Sequence, residues 1–312
     1  MLISICVCTY NRANILLYCL RSLAGLLDPR PAHDLEVIVI DNNSRDSTSD
    51  VVKQLIPTYP FTLRYVFEGE QGLSAARNRA IKEARGDYLA FLDDECTMDS
   101  NWLAIAIADI EEFRPPFLGG PYVGAFLPGD KPSWFKIEYG NAYFLSDAYE
   151  RGFQSKFRAS GGNMLVRRDV FDGLRFDPTK GMKGQQVKLG EEIDLQDRFL
   201  SLHPTEAAFY EPGLVLRHFI LPQKMKLAYR VSRQFSWALT NPDVDFKGFV
   251  VSAAKVVLWS LVAPVRCLLR DRGKYRFWQN DAYERAVPQI FIPAGMMIKY
   301  LRSIARRRTD AG

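Results

Sequence analysis

The chain has 312 residues, 47% hydrophobic and 25% charged, which is enough apolar material for a globular core and excludes a disordered or low-complexity protein. Its formal net charge of +5 is small for this length and does not indicate nucleic-acid binding. Three histidines are too few for a histidine-rich metal site, and five cysteines without a Cys-x-x-Cys pair are typical of reduced thiols in the cytosol.

Residues 1–100 alternate between strand-like and helix-like patterns. Apolar, β-branched runs predict strands at residues 2–8, 35–40, 62–67 and 88–92. Between them, helices are predicted at residues 15–27, from about residue 47, and at residues 74–84, with Ser74 as N-cap and Gly86 at the end. Strands that alternate with helices imply βαβ crossovers and therefore a mostly parallel sheet.

Beyond residue 101 the alternation becomes less regular. A helix is predicted at residues 101–113, and the Gly, Pro and aromatic content of residues 115–147 is typical of long loops that shape a binding surface. A strand, a helix and a second strand are predicted at residues 159–167, 190–202 and 213–219.

The last part of the chain, from about residue 221, has an amphipathic helical pattern. Its apolar segment 291–300 precedes a cluster of arginines, Arg302, Arg306, Arg307 and Arg308. No uncharged apolar run reaches the roughly 18 residues that a membrane span needs, so no span is expected. The N-terminus lacks the basic, apolar and cleavage regions of a secretory signal, and none is expected.

Three carboxylates, Asp93, Asp94 and Glu95, follow directly on the strand predicted at residues 88–92. Ligands of open α/β sheets bind at the carboxyl ends of strands. Adjacent acids oppose each other's ionisation unless a cation lies among them, and a divalent metal can also hold a diphosphate. The alternative is that these acids belong to the cap of the next helix.

The order of motifs between residues 8 and 218 resembles that of the family 2 glycosyltransferases with a GT-A fold. The matching segments are residues 8–12 (CTYNR), 39–44 (VIDNNS), 72–78 (GLSAARN), 91–95 (FLDDE), 160–163 (SGGN), 190–195 (GEEIDL) and His218. The resemblance implies an α/β, Rossmann-like GT-A sheet, mostly parallel and flanked by helices, with a C-terminal helical extension. The catalytic domain is expected at residues 1–220, with a nucleotide-binding half (1–100) and an acceptor half (101–220), and a membrane-associating helical region at residues 221–312.

The same resemblance implies an inverting, metal-dependent transfer of a sugar from a nucleotide donor, with UDP-sugars favoured, to a hydroxyl of a glycan. Glu192 stands where the family has its general base, and Glu191 and Trp134 are assigned to the acceptor. The resemblance assigns Mn²⁺ or Mg²⁺ to Asp93, Glu95 and His218. It leaves open whether Asp94 or Glu95 is the direct ligand. Donor binding is assigned to Thr9, Tyr10, Asn11, Arg12, Asp41, Asn42, Arg77, Asp93, Asp94, Gly162 and Asn163.

Several of these residues have simpler interpretations. The acids at 191, 192 and 194 also suit the N-terminus of a helix, and Asp41 also suits a turn cap. Many family members have a second Asp where this chain has Asn42, which admits dTDP or another nucleotide. The basic, helical C-terminus favours a polyprenyl-linked glycan acceptor and a cytoplasmic protein, peripheral at the inner face of the membrane. A sugar nucleotidyltransferase and a non-catalytic scaffold of a glycan-assembly complex remain the alternatives.

Overall fold

The computed structural model describes residues 1–26, 35–127, 149–184 and 189–226, and beyond them residues 229, 232, 250–252, 254–258, 290 and 292–301. The chain divides into two compact units. The first contains the described residues of the ranges 1–125, 141–186 and 190–219, and the second contains those of 126–140, 187–189 and 220–312. That residues 1–220 form the catalytic domain stays a prediction.

The first unit is a mixed α/β structure. Its strands are β1 Ile3–Thr9, β2 Leu35–Asp41, β3 Thr62–Phe67, β4 Tyr88–Asp93, β5 Cys96–Met98, β6 Phe117–Gly119, β7 Tyr122–Ala125, β8 Gly152–Gln154, β9 Asn163–Arg167, β10 Ala208–Tyr210 and β11 Leu216–Phe219. Its α-helices are α1 Ala13–Ala24, α2 Thr48–Leu55, α3 Leu73–Glu83, α4 Trp102–Phe113 and α5 Glu191–Leu202. The alternation of strands and helices predicted for residues 1–100 is confirmed.

The main sheet has eight strands in the order β3-β2-β1-β4-β9-β6-β10-β8. Its first four strands are mutually parallel, whereas β9 runs antiparallel to β4 and β6. Strands β1 and β2 are buried along almost their whole length, as expected for parallel strands covered on both faces. The predicted mostly parallel sheet flanked by helices is therefore confirmed.

A second sheet of three strands, in the order β5-β11-β7, lies beyond the end of β4. Strand β11 runs antiparallel to β5 and parallel to β7. This pairing sets His218 opposite Cys96, three residues after the last residue of β4. A residue distant in sequence thereby comes close to the acidic triplet.

Several predicted boundaries are wrong for local reasons. Helix α3 begins at Leu73 after an N-cap at Gly72, and the Ser74 hydroxyl donates instead to the Lys180 carbonyl at 2.9 Å. Gly86 does not end α3. A Cβ there would lie 2.6 Å from the Ser4 backbone nitrogen, so the close approach to β1 requires glycine at this position.

The later strands also differ from the prediction. Strand β9 begins at Asn163 because the backbone N–H and C=O of Ala159 bond to the side chain of Gln196 at 2.8 and 2.9 Å. Strand β11 begins at Leu216 after a turn. Strands β6 and β7 lie in the segment predicted as loops, because three or four residues are too few for a periodic signal.

The second unit contains a short helix, α6 Pro222–Met225, and helical residues within the ranges 250–258 and 292–301. Ile220, Met225 and Phe126 form a small apolar cluster. Within the part of the chain that the structure describes, none of the helices has the length and hydropathy that crossing a bilayer needs. The arginine cluster of residues 302–308 lies outside the described residues.

Candidate active site

The carboxyl ends of β1, β2 and β4 meet at one edge of the main sheet. In the parallel register Thr9 is level with Asp41, and Cys8 is level with Asp93. The polar residues that follow these three strands are therefore neighbours in space. This is the edge at which open α/β sheets bind their ligands.

Asp94 is buried and bonded within the protein. Its carboxylate accepts hydrogen bonds from the Thr9 hydroxyl at 2.7 Å and from the Arg12 guanidinium at 2.8 Å. Burial raises the pKa of Asp94, and the charge of Arg12 opposes this rise. Thr9 and Arg12, two of the residues predicted to bind the nucleotide donor, thus lie beside the triplet and hold its middle acid, Asp94.

The two outer acids face His218. Its Nε2 lies 3.3 Å from Glu95 Oε1 and 3.7 Å from Asp93 Oδ2, and its ring meets the Tyr122 ring edge-on at 5.4 Å. Burial alone would raise the pKa of Asp93, but the hydrogen bond and charge of His218, with Arg77, hold it below its ordinary value. Two carboxylates and an imidazole in this arrangement fit a divalent cation such as Mn²⁺ or Mg²⁺.

Cys96 also contributes to this group, and the sequence analysis did not identify it. One ligand atom each of Asp93, Cys96 and His218 lies within 4.8 Å of the others. A thiol directly after an acidic triplet is the only sequence signal for it, and that signal does not distinguish a core cysteine from a ligand.

Gly161 and Gly162 allow the backbone to approach two charged side chains. A Cβ at Gly162 would lie 2.3 Å from Asp93 Cγ and from the Tyr122 hydroxyl. A Cβ at Gly161 would lie 2.5 Å from an Arg77 nitrogen. The glycine pair is therefore required by close packing beside Asp93 and Arg77.

Arg77 forms a buried ion pair at the start of α5. Its guanidinium donates to Glu191 Oε1 at 2.7 Å and to the Gly161 carbonyl at 2.8 Å, and it lies 5.3 Å from the centre of the Phe176 ring. Arg77 and Glu191 are 3% and 4% exposed, so the pair is shielded from water. The second oxygen of Glu191 is buried and accepts no hydrogen bond from any residue that the structure describes.

Glu192 follows Glu191 in the first turn of α5 and is partly exposed. Burial of its carboxyl and the charge of Glu191 raise the pKa of Glu192 to about 8, against the opposing charge of Arg77. A carboxylate with such a pKa is a stronger proton acceptor than an ordinary glutamate.

Asp41 and Asn42 are buried and bonded to the protein itself. Asp41 accepts hydrogen bonds from the Ser44 backbone at 2.9 Å and from the Tyr65 hydroxyl at 2.7 Å. The Asn42 amide donates to the Glu70 carbonyl at 2.6 Å and accepts from the Gly72 backbone at 2.8 Å. These contacts fasten residues 70–72 to β2, so the placement of Asn42 does not favour pairing with a base.

The remaining sequence-predicted residues make contacts within the protein itself. Asn11 has a left-handed backbone (φ 51°) and joins two turns by bonds to Ser44 and Arg45, while Tyr10 beside it is partly buried. Asn163 is fully buried, donating to the Leu214 carbonyl at 2.7 Å and accepting from Trp102 at 3.3 Å. Its amide is thus used structurally, which does not favour a contact with the donor sugar. Trp134 lies outside the described residues.

The chain resembles known proteins in sequence and in fold. Residues 4–175 match the family model described as Glycosyl transferase family 2. The succinoglycan biosynthesis protein ExoM of Rhizobium meliloti is 30% identical over 243 residues, which cover 77% of this chain and 74% of ExoM. The glycosyltransferase AglE of Haloferax volcanii is 26% identical over 185 residues, which cover 59% of either protein, less than two thirds of AglE. Among solved structures, a mannosyltransferase of Pyrobaculum calidifontis, in complex with GDP-Man and Mn²⁺, shares the fold with a TM-score of 0.61 at 17% identity, covering 96% of this chain and 86% of that one.

The buried ion pair leads to a prediction about stability. Arg77→Met is expected to lower the free energy of unfolding by about 3–5 kcal/mol, because it leaves the Glu191 carboxylate buried without a counter-charge. Adding Glu191→Leu to this variant should recover part of the loss, because the uncompensated charge is then gone. Urea denaturation measures both effects.

Arg79→Met is the matched control on the same helix. Arg79 pairs with Glu83 at 3.0 Å, but its side chain is 37% exposed, so its loss should cost less than about 1 kcal/mol. Equal destabilisation by the two methionine variants would contradict the assigned role of the Arg77–Glu191 pair.

Proposed function

The chain belongs to glycosyl transferase family 2, and we propose that it is an inverting, cation-dependent enzyme that transfers a sugar from a nucleotide donor to a hydroxyl of a glycan or lipid-linked glycan. The observation that carries the proposal is the arrangement around Arg77. Asp93, which faces His218, packs against Gly162. Arg77 donates both to the carbonyl of the adjacent Gly161 and to Glu191, which precedes Glu192. A cation-binding group and a candidate base are thus held by one network.

We assign the cation to Asp93, Glu95 and His218, and not to Asp94. The carboxylate of Asp94 already accepts hydrogen bonds from Thr9 and Arg12, whereas Asp93 and Glu95 both face the imidazole of His218. When bound, the cation supplies positive charge to the diphosphate that leaves. Arg12, which also lies 3.4 Å from Glu95, keeps this carboxylate in place.

Glu192 acts as the general base in this proposal. It takes the proton of the acceptor hydroxyl while the hydroxyl oxygen bonds to C1 of the sugar, and the bond from C1 to the diphosphate breaks on the opposite face. Glu191 is held by Arg77 and contributes negative charge beside Glu192, which favours proton uptake there. Gly161 and Gly162 let the side chains of Arg77 and Asp93 pack closely against the backbone between the two groups.

The donor and the acceptor are proposed only by class. A nucleoside diphosphate sugar fits a cation beside the carboxyl ends of β1 and β4, and UDP remains the favoured nucleotide. ExoM is named for succinoglycan biosynthesis, which supports a bacterial polysaccharide as the acceptor.

A donor panel tests this function. Incubation of the purified chain with Mn²⁺ or Mg²⁺ and a set of nucleotide sugars is expected to release a nucleoside diphosphate slowly from one donor, because water replaces the acceptor. Turnover of no donor would favour a non-catalytic scaffold, and consumption of a nucleoside triphosphate would favour a nucleotidyltransferase.

In the same assay, Glu192→Gln is expected to bind the donor but to lose donor hydrolysis by about 10²–10⁴-fold, the usual contribution of a general base, because the base also takes the proton of the attacking water. Asp197→Asn, which changes an exposed acid on the same helix, serves as the matched control and should keep its rate. A near-normal rate for Glu192→Gln would remove Glu192 as the base.

The raised pKa of Glu192 predicts the pH dependence. A base accepts a proton only when it is ionised, so kcat/KM is expected to rise with pH through an apparent pKa of about 8 and to level off above it. Initial rates between about pH 6 and pH 10 measure this limb. The residual rate of Glu192→Gln should lack this limb. A wild-type rate that is flat over this range, as expected for a glutamate with the ordinary pKa of about 4.3, would contradict the assignment.

We also propose that the chain binds peripherally to the inner face of the cytoplasmic membrane, where a polyprenyl-linked acceptor would lie. In the helical residues within 250–258, the exposed side chains of Val250, Val251, Ala254, Val257 and Leu258 recur at the spacing of one helix face. An apolar stripe of this kind, with Lys255 exposed beside it, is typical of helices that lie on a bilayer.

Vesicle sedimentation tests this location. Val257→Asp with Leu258→Asp should reduce co-sedimentation with anionic vesicles, because it places charge on the apolar stripe. Deleting the residues after Tyr300 should also weaken binding, since each arginine near an anionic surface contributes about 1 kcal/mol. Leu202→Asp, at an exposed leucine of α5, is the control. Equal sedimentation of the wild-type chain, the double variant, the deletion variant and Leu202→Asp would rule out this surface.

A further inference from the structure

We propose that Asp93, Cys96 and His218 form a binding site for a thiophilic divalent cation of the Zn²⁺ type, in competition with the harder cation used for transfer. The inference builds on the proposed function, because Asp93 and His218 are also assigned to the catalytic cation. What is new is the thiol of Cys96, which the hard-cation assignment does not use.

The pairing of β5 with β11 brings the thiol to the site. His218 lies directly opposite Cys96 in the antiparallel register, and directly opposed residues point to the same face of a sheet. Asp93 is the last residue of β4, three positions before Cys96. The group therefore depends on sheet structure and not on a flexible loop.

The distances suit a small ion. The ligand atoms of the three residues lie within 4.8 Å of one another, and His218 Nε2 lies 3.7 Å from Asp93 Oδ2. Zinc ligands at about 2.0–2.3 Å in tetrahedral geometry lie roughly 3.5 Å apart. The separations between the ligand atoms need to shorten by about 1.3 Å at most to reach that geometry.

The chemistry of the donor set favours a softer cation than Mg²⁺. Thiolate and imidazole are preferred by Zn²⁺ and Co²⁺, whereas Mg²⁺ and Mn²⁺ prefer oxygen ligands. Three protein ligands with a fourth position open are also the pattern of catalytic zinc sites. On binding, the Cys96 S–H bond breaks, the sulfur bonds to the metal and the proton passes to water. Because two ligands are shared, Zn²⁺ occupancy excludes the hard cation and inhibits transfer.

The alternative is that Cys96 serves only as a small core residue. It is fully buried and belongs to the apolar cluster beneath β1 and α4. Cys19 offers a matched comparison, because it is equally buried and its sulfur lies 3.8 Å from the backbone carbonyl of Asp93. Only Cys96 directs its sulfur toward the His218 imidazole and Asp93 carboxylate, among the described cysteines.

Titration with Co²⁺ tests the proposal by absorption spectroscopy. The wild-type chain is expected to develop the near-ultraviolet charge-transfer band of a cobalt–thiolate bond. Cys96→Ser should lose this band and bind Zn²⁺ at least about 100-fold more weakly in competition with a chelating dye. Cys19→Ser should keep both properties. A band that persists in Cys96→Ser, or that disappears in Cys19→Ser, would overturn the assignment.

A second measurement needs no variant. X-ray absorption of the wild-type chain loaded with Zn²⁺ should contain a zinc–sulfur shell at about 2.3 Å. Donor-nucleotide binding with Mg²⁺, measured in parallel, tests the proposed function separately. Donor binding without a zinc–sulfur shell rejects the thiol site and leaves the transferase proposal standing, whereas the shell without donor binding supports the thiol site alone.

Discussion

The buried ion pair between Arg77 and Glu191 connects the separate parts of the candidate site. The guanidinium lies on α3, its first acceptor begins α5, and its second acceptor is the carbonyl of Gly161. Because both charges are shielded from water, neither partner can move away without leaving the other as an uncompensated buried charge. The orientation of the first turn of α5, and with it the position of Glu192, therefore depends on the contact that Arg77 makes with the glycine pair.

The balance of charge at this edge of the sheet supports the proposed cation. Besides Asp41 at the end of β2, the described residues place five carboxylates there, those of Asp93, Asp94, Glu95, Glu191 and Glu192. Arg12 compensates Asp94, Arg77 compensates Glu191, and His218 lies between the two outer acids of the triplet. This leaves an excess of negative charge, which a nucleoside diphosphate would increase. A divalent cation at the outer acids would reverse the local sign and make diphosphate binding favourable.

The sequence predicted the parts of this site that local patterns encode. Long apolar runs identified β1 to β4, and the acids after residue 92 were predicted correctly to follow a buried strand. The partners of single polar residues were beyond such analysis. Glu191 is 114 residues from Arg77, and Cys96 meets His218 only through the register of two short strands. The burial of Asn163 against Trp102 and Leu214 is likewise a property of tertiary packing, which local sequence patterns do not encode.

The departure of Asn42 from the family pattern has a local physical cause. The amide donates to the Glu70 carbonyl and accepts from Gly72, so the position needs a donor and an acceptor at once. An aspartate carboxylate would accept from Gly72 but would set an oxygen against the Glu70 carbonyl, which is 2.6 Å away. The loop that Asn42 fastens therefore requires an amide at this position. The presence of asparagine in place of aspartate carries little information about the nucleobase of the donor.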